Sequence, residues 1–252
     1  MQDTFEIQPL KQTFKQRAGQ FLIPRLPFNR RVFDIIRYEL HSASIVVKMF
    51  LSARQRATIR NLKAQKELSI NLASGGQGLT GWVNVEFRRF DETTLVLDLR
   101  RPLPFTDGSA KRVLAEHVVE HLDFSSDALN LAKEVHRILG PGGVFRVIVP
   151  DLEAFAKAYV AGGKVAWAAL GWNLDAMPHD VHTPMHILNH TFHQGGEHLF
   201  GYDFEILSWM LKKAGFDKVE RLQFKKSLDP ELAIDLPNHR NYSLYVDAVK
   251  SQ

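Results

Sequence analysis

Residues 125–149 constrain the fold of this chain more than any other stretch. Ala128, Leu131, Ala132, Val135, Ile138 and Leu139 recur at helical spacing behind three candidate N-caps, Ser125, Ser126 and Asp127. Gly140-Pro141-Gly142-Gly143 stops that helix, and the apolar run 144–149 follows at once. A helix cut by glycine and proline and returning straight into an apolar run is the second half of a βαβ unit, which requires a parallel strand before it. Short apolar runs bounded by turn signals supply that strand and its neighbours, at 68–72, 83–86, 94–97 and 112–115. A helix follows at 152–160, and another, capped by Asp203 and carrying Ile206, Leu207, Met210, Leu211 and Ala214, ends at Gly215. Runs at 219–224 and 243–249 close the pattern. The expectation is an α/β fold with a seven-stranded, mostly parallel sheet and helices on both faces.

Charge divides the chain in two. Residues 1–66 hold 13 Lys plus Arg against 4 Asp plus Glu, whereas 67–252 hold 19 against 24, so the net charge of +4 conceals a basic arm joined to a mildly acidic domain. The domain boundary is accordingly expected between residues 66 and 67. Pro9, Pro24 and Pro27 make 1–29 an irregular lead-in, while 31–66 lacks proline and glycine and spaces its apolar residues as one or two basic amphipathic helices. Two readings of these helices stand: they pack on the main domain with their basic residues solvated, or they lie on an anionic membrane surface. No nucleic-acid-binding motif accompanies them, so no nucleic-acid partner is expected. The N-terminus Met1-Gln2-Asp3 has no charged n-region, and the most apolar stretch, 45–51, is interrupted by Lys48 and far shorter than the ~20 residues that span a bilayer. The chain has no cysteine, which excludes disulfides, thiolate metal sites and cysteine nucleophiles and fits a reducing compartment. A cytoplasmic location, peripheral to the membrane if the arm binds lipid, is the expectation.

The glycine-rich segment Ala73-Ser74-Gly75-Gly76-Gln77-Gly78 directly follows the first strand, at the edge of an open α/β sheet where ligands bind. Its spacing is not that of a P-loop. Glu86 at the end of the second strand can accept hydrogen bonds from both hydroxyls of a ribose, and Asp98 lies just beyond the third. Glycines serve equally in a turn without a ligand, and either carboxylate alone reads as a solvated loop residue. What links them is their place at three successive strand ends.

Ile70-Asn71-Leu72-Ala73-Ser74-Gly75, Gly81-Trp82-Val83-Asn84-Val85-Glu86 and the run from Asp98-Leu99 to Gly108-Ser109 resemble the cofactor half of class I S-adenosylmethionine-dependent methyltransferases. Glu116-His117-Val118-Val119-Glu120-His121-Leu122, Leu139-Gly140-Pro141-Gly142-Gly143 and Ala214-Gly215-Phe216 extend the resemblance over about residues 67–249. It implies a Rossmann-like domain over 67–252 and S-adenosylmethionine as cofactor. Ala73, Ser74, Gly75 and Gly76 would lie under its methionine part, Glu86 would hold the ribose, and Asp98 and Leu99 would flank the adenine. Glu116 and His117 would face the cofactor and the acceptor entrance. Two positions depart from the family pattern: Ala73 stands where the turn usually has its first glycine, and Asn71 where the first strand usually has an acid.

Histidine is the natural base near neutral pH for removing a proton from a methyl acceptor. His117 and His121 are four apart, so on a helix they share a face; they serve structure, act as a base, or bind metal. The sequence is not H-E-x-x-H and implies no third ligand, so no metal ligands are assigned. Six of the chain's 11 histidines, His179, His182, His186, His190, His193 and His198, fall in an insertion at about 161–200. The insertion reads either as a polar loop, or as a lid supplying groups to the acceptor, or as a zinc site; for the lid, residues 189–198 resemble a stretch of the related methyltransferases, which implies His193 and His198 as the candidates. The activity that the resemblance implies is methyl transfer to a small polar acceptor, an oxygen of a sugar, glycan precursor or similar metabolite. Its rivals are a methyltransferase-like module without turnover, resting on Ala73 and Asn71, and a metal-dependent hydrolase built on the histidine cluster.

Overall fold

The computed structural model describes residues 30–178 and 181–251. The lead-in 1–29 and His179 lie outside the described residues. The basic arm contains two helices, α1 (Arg30–Leu51) and α2 (Ala53–Ala64), the second capped by Ser52, whose hydroxyl accepts from Gln55 N–H. The chain forms two compact units, 1–48 and 49–252. The division therefore falls earlier than the charge pattern suggests. Leu62 on α2 is buried in the core of the sheet, with Met49 and Ile59 packed against it. Burying a leucine is worth about 1.5–3 kcal/mol, and apolar packing of this kind, which the charge count does not register, ties α2 to the second unit.

Seven strands, β1 (Leu68–Leu72), β2 (Val83–Glu86), β3 (Leu95–Val96), β4 (Ala110–Glu116), β5 (Leu139–Pro150), β6 (Lys218–Leu222) and β7 (Ser243–Val249), form one sheet in the order β3-β2-β1-β4-β5-β7-β6. β1 to β5 are parallel, and β7 runs antiparallel to both β5 and β6. Leu72 pairs with Val85 and Ala115, and Glu116 with Ile148, so the chain leaves β1, β2, β4 and β5 along one edge. That alignment turns segments far apart in sequence into neighbours.

The remaining helices are α3 (Leu129–Ile138), α4 (Leu152–Ala161), α5 (Gly163–Ala169), α6 (Pro184–His193) and α7 (Phe204–Lys213). α3 buries Leu131, Ala132, Val135 and Ile138, the stripe that its periodicity predicts. Its entry differs from expectation. A π-helical turn (Phe124–Ala128) precedes it, and Asp123 is the cap, accepting from Ser125 N–H and Ser126 N–H, because the chain begins to turn before the serines. Asp203 caps α7 as expected, through Ile206 N–H at 2.9 Å. The 161–200 insertion is folded: Trp167, Leu170, Val181 and Ile187 join Phe155 and Ala158 of α4 in an apolar cluster of their own. Among the described residues no helix is long and apolar enough to cross a membrane.

Candidate active site

The turn after β1 takes its shape from two left-handed residues, Ala73 (φ 50°) and Gly75 (φ 54°). Position 73 therefore asks for the conformation that glycine supplies without strain. Gly75 N–H donates to Glu86 Oε2 at 2.8 Å, and Glu86 Oε1 accepts from Phe87 N–H at 2.7 Å, which pins the β2 carboxylate against the β1 turn. A side chain at Gly75 would meet no atom within 4 Å, so the turn is open on that side. Beneath it the Ser74 hydroxyl is buried without a hydrogen-bond partner. An open backbone turn, an orphaned hydroxyl and a half-buried carboxylate with lone pairs to spare fit a polar ligand lying across β1 and β2.

Asn71, in place of the usual acid, is buried and donates through Nδ2 to Asn84 Oδ1 at 3.3 Å. Asn84 is held on both sides of its amide by Leu79, whose N–H donates to Oδ1 at 2.9 Å and whose carbonyl accepts from Nδ2 at 3.0 Å. A carboxylate at 71 would have no proton to offer there. Asp98 is buried beyond β3, where it receives the forked guanidinium of Arg100, with Nη2 at 2.8 Å from Oδ2. Leu99 beside it is partly buried against the core.

At the end of β4 the chain does not continue as a helix. His117 adopts φ 54°, and only the 3₁₀ turn Val119–His121 follows, so His117 and His121 do not share a helical face as their spacing suggests. His117 turns toward β7, with Nε2 2.8 Å from Ser243 Oγ and its ring 4.0 Å from that of His239. Its Nδ1 lies 3.2 Å from Glu120 Oε1, too far out of line for a hydrogen bond. Glu116 Oε1 accepts from His239 Nδ1 at 2.8 Å and from Leu236 N–H at 3.1 Å, so this carboxylate anchors the loop before β7.

His121 instead faces the insertion, with its ring 4.8 Å from that of His198. His198 is buried, and its Nδ1 lies 2.7 Å from the carbonyl of Thr191. Because a carbonyl only accepts, Nδ1 carries the proton. Burial is the main influence on His198 and holds its pKa below the ordinary histidine value, which favours the neutral ring. The phenol of Tyr242 is pushed up by burial, with the carboxylates of Glu116 and Glu120 adding to the effect.

These groups line a cavity of about 830 Å³ beside the ends of β4 and β5. His117, His121, His190, His198 and His239 face it together with Asn173, Asn238 and Asn241, and Trp172 and Tyr242 add aromatic wall. The five described histidines of the insertion, His182, His186, His190, His193 and His198, do not converge. His193 is exposed and off the cavity, since α6 turns Ile187 and Thr191 inward and His193 falls on its outer face. His182 and His186 lie against each other, with ring centroids 5.5 Å apart. Of the two favoured histidines, His198 alone reaches the cavity. Sequence reasoning missed Glu120, in the turn after β4, and His239, Tyr242 and Ser243, which the β4–β7 topology brings in from the far end of the chain.

A sheet in the order 3-2-1-4-5-7-6 with its seventh strand antiparallel, and a glycine turn pinned to a carboxylate on the next strand, defines the Rossmann-like fold of class I methyltransferases. Residues 41–147 match the family model Methyltransf_11, described as a methyltransferase domain. Over that stretch, which is less than half of the chain, the sequence is similar to methyltransferase domains, and it lies on a sheet of the Rossmann-like methyltransferase order. No curated protein sequence matches it. Among solved structures, it is similar to a Thermotoga maritima S-adenosylmethionine-dependent methyltransferase described as a possible histamine N-methyltransferase, at 18% identity and TM-score 0.44, over 88% of this chain and 97% of that one. It is also similar to the Burkholderia thailandensis 1,6-didemethyltoxoflavin-N1-methyltransferase, at 12% identity and TM-score 0.44, over 90% and 93% of the two chains. An Archaeoglobus fulgidus S-adenosylmethionine-dependent methyltransferase aligns at 16% identity and TM-score 0.42, over 81% and 94%.

Proposed function

We propose that this protein is an S-adenosylmethionine-dependent methyltransferase and transfers the methyl group to an oxygen of a small hydroxylated acceptor, such as a sugar, a glycan precursor or a similar metabolite. The observation that carries this reading is the cavity lining, where imidazoles and side-chain amides alternate with Trp172 and Tyr242. Such a surface hydrogen-bonds hydroxyls and offers aromatic faces to a ring, and about 830 Å³ suits a small-molecule ligand. Ala73 to Gly76 hold the methionine part of the cofactor, Glu86 the ribose, and Asp98 with Leu99 the adenine edge. When bound, the cofactor supplies a methyl group already activated by its sulfonium. The protein's task is then to align the acceptor and remove a proton from it. His117 is the base we assign: it lines the cavity, and Glu120, 3.2 Å from its Nδ1, compensates the charge the ring gains. Glu116 positions the cavity wall through His239.

Calorimetric titration of S-adenosylmethionine and S-adenosylhomocysteine into the wild type and Glu86→Ala tests the cofactor assignment. We expect binding to the wild type and marked loss in the variant; no heat with the wild type overturns it.

The reading extends to the arm. Ile35, Ile36, Leu40, Phe50 and Leu51 are exposed on α1 beside Arg37 and Lys48, which supports a peripheral contact with anionic lipid at the cytoplasmic surface. Co-sedimentation with phosphatidylserine vesicles, but not with phosphatidylcholine vesicles, is the expected result.

A further inference from the structure

Glu120 is 1% exposed, and neither of its carboxylate oxygens has a hydrogen-bond partner. Leaving a buried carboxylate unsatisfied costs several kcal/mol unless a compensating group sits against it. The nearby His117 contributes proximity without an aligned N–H. The backbone around Glu120, by contrast, is firmly held: its carbonyl accepts from Leu199 N–H at 2.8 Å, which ties the turn after β4 to the end of the insertion. The carboxylate is thus fixed in place facing groups that do not satisfy it.

Those groups are two imidazoles with the same hydrogen-bond arrangement. His121 Nδ1 lies 3.1 Å from the carbonyl of Glu197, and His198 Nδ1 lies 2.7 Å from that of Thr191. Each carbonyl can only accept, so each Nδ1 is the protonated nitrogen and each neutral ring presents its lone pair on Nε2. A backbone carbonyl on the far nitrogen is the usual way a metal-binding histidine is oriented. Glu120, His121 and His198 each offer a ligand atom within 4.8 Å of the other two. With metal–ligand bonds of about 2.1 Å in a tetrahedral site, ligand atoms stand about 3.4 Å apart, so a cation would draw the three side chains together by up to about 1.4 Å.

We propose that Glu120, His121 and His198 form a binding site for a divalent cation of the zinc class in the wall of the acceptor cavity. Two imidazoles and one carboxylate favour a borderline transition metal over magnesium, and three protein ligands leave a coordination position open. His121 and His198 line the cavity, so the open position is directed to an oxygen ligand there, water or an acceptor hydroxyl. The site stands on this geometry alone, and only its use toward an acceptor rests on the methyl-transfer reading.

The test uses full-length protein purified without a histidine tag and titrated with zinc, cobalt(II) and magnesium ions by calorimetry and absorption. Zinc is expected to bind at one equivalent, cobalt to give the visible d–d absorption of a low-coordinate nitrogen and oxygen site, and magnesium to give no binding. His121→Ala, His198→Ala and Glu120→Gln should each lose stoichiometric zinc, while His182→Ala keeps it. S-adenosylhomocysteine titration of the same samples separates the two readings, because loss of metal with retained cofactor binding is a ligand effect and failed cofactor binding speaks only to the methyltransferase site. Should the buried Glu120→Gln fail to fold, the partly exposed His121 carries the same test. Absence of zinc binding to the wild type overturns the site, and so does undiminished binding in folded His121→Ala and His198→Ala.

Discussion

Arg146 and Asp235 meet in a two-point contact, Nε to Oδ1 and Nη2 to Oδ2 at 2.7 Å each, with both side chains wholly buried. Asp247 takes Arg146 Nη1 from the other side, also at 2.7 Å. Its second oxygen accepts from Ser227 Oγ and Leu228 N–H, while Asp235 Oδ2 accepts from Lys225 N–H. One guanidinium on β5 therefore fastens the 225–235 segment over the sheet, immediately ahead of the Leu236–His239 loop that forms part of the cavity wall.

Removing that guanidinium leaves two buried carboxylates facing each other. Arg146→Met, close in volume but neutral, is expected to cost about 3–5 kcal/mol in urea denaturation. Because the loss is structural, cofactor and acceptor binding should fall together. A variant within 1 kcal/mol of wild type would mean that water or a shifted backbone already compensates the carboxylates.

The turn after β1 makes an opposite prediction. Ala73 sits at φ 50°, where an alanine Cβ is strained by about 1–2 kcal/mol. Ala73→Gly removes that strain and loses part of the gain to a freer unfolded chain. A net stabilisation of about 0.5–1 kcal/mol is expected, visible as a raised melting temperature. A lowered melting temperature would show that the alanine methyl packs usefully where it stands.

Much of the fold was legible because the parallel strands are short apolar runs between turn residues, and β1, β2 and β7 have the bounds their patterns predict. Half of the site was legible for the same reason: the glycine turn and Glu86 are adjacent strand ends, so their meeting follows from topology. The other half was not. The i, i+4 spacing of His117 and His121 invites a helix, but His117 is left-handed and the two rings part, one toward β7 and the other toward the insertion. The resemblance of the 189–198 stretch to related methyltransferases points to His193 as much as to His198, although the face of α6 decides which histidine reaches the cavity. Nothing within the 116–122 stretch singles out Glu120, since its importance lies in burial near His198, which comes from 78 residues further along.

Acid stability tests a contact on the far side of α3. Glu134 accepts from Arg137 Nε at 2.9 Å and Nη2 at 2.8 Å, and from Leu103 N–H at 2.8 Å. The Arg137 hydrogen bond is the largest influence and holds the Glu134 carboxyl below its ordinary value, against a smaller opposing effect of burial. A carboxylate depressed by folding adds stability above its unfolded pKa, about 4.3, and that contribution disappears as pH falls through the folded value. Glu134→Gln should therefore be less stable than wild type by about 1 kcal/mol at neutral pH, with the gap closing below about pH 4.3. Urea denaturation of both proteins across that range measures it; a gap independent of pH would remove the ion pair as its cause.

Restoring the family's acid at position 71 should harm this particular chain. Asn71 Nδ2 points at Asn84 Oδ1, and Leu79 fixes the Asn84 amide from both sides, so Asn84 cannot turn over to offer its own N–H. An aspartate there would set a buried carboxylate against the oxygen of Asn84, with the carbonyl of Gln77 also close by. Asn71→Asp is expected to cost about 1–3 kcal/mol at neutral pH. Those surroundings raise the pKa of the new carboxyl in the folded state, so protonation relieves the repulsion and supplies the missing donor. The deficit relative to wild type should shrink as pH falls through that raised value, the reverse of a carboxylate stabilised by an ion pair. Paired denaturation curves near pH 5 and pH 8 distinguish the outcomes. Equal stability of the two proteins at both values would mean that the Asn84 amide reorganises, and that Asn71 is interchangeable with the acid it replaces.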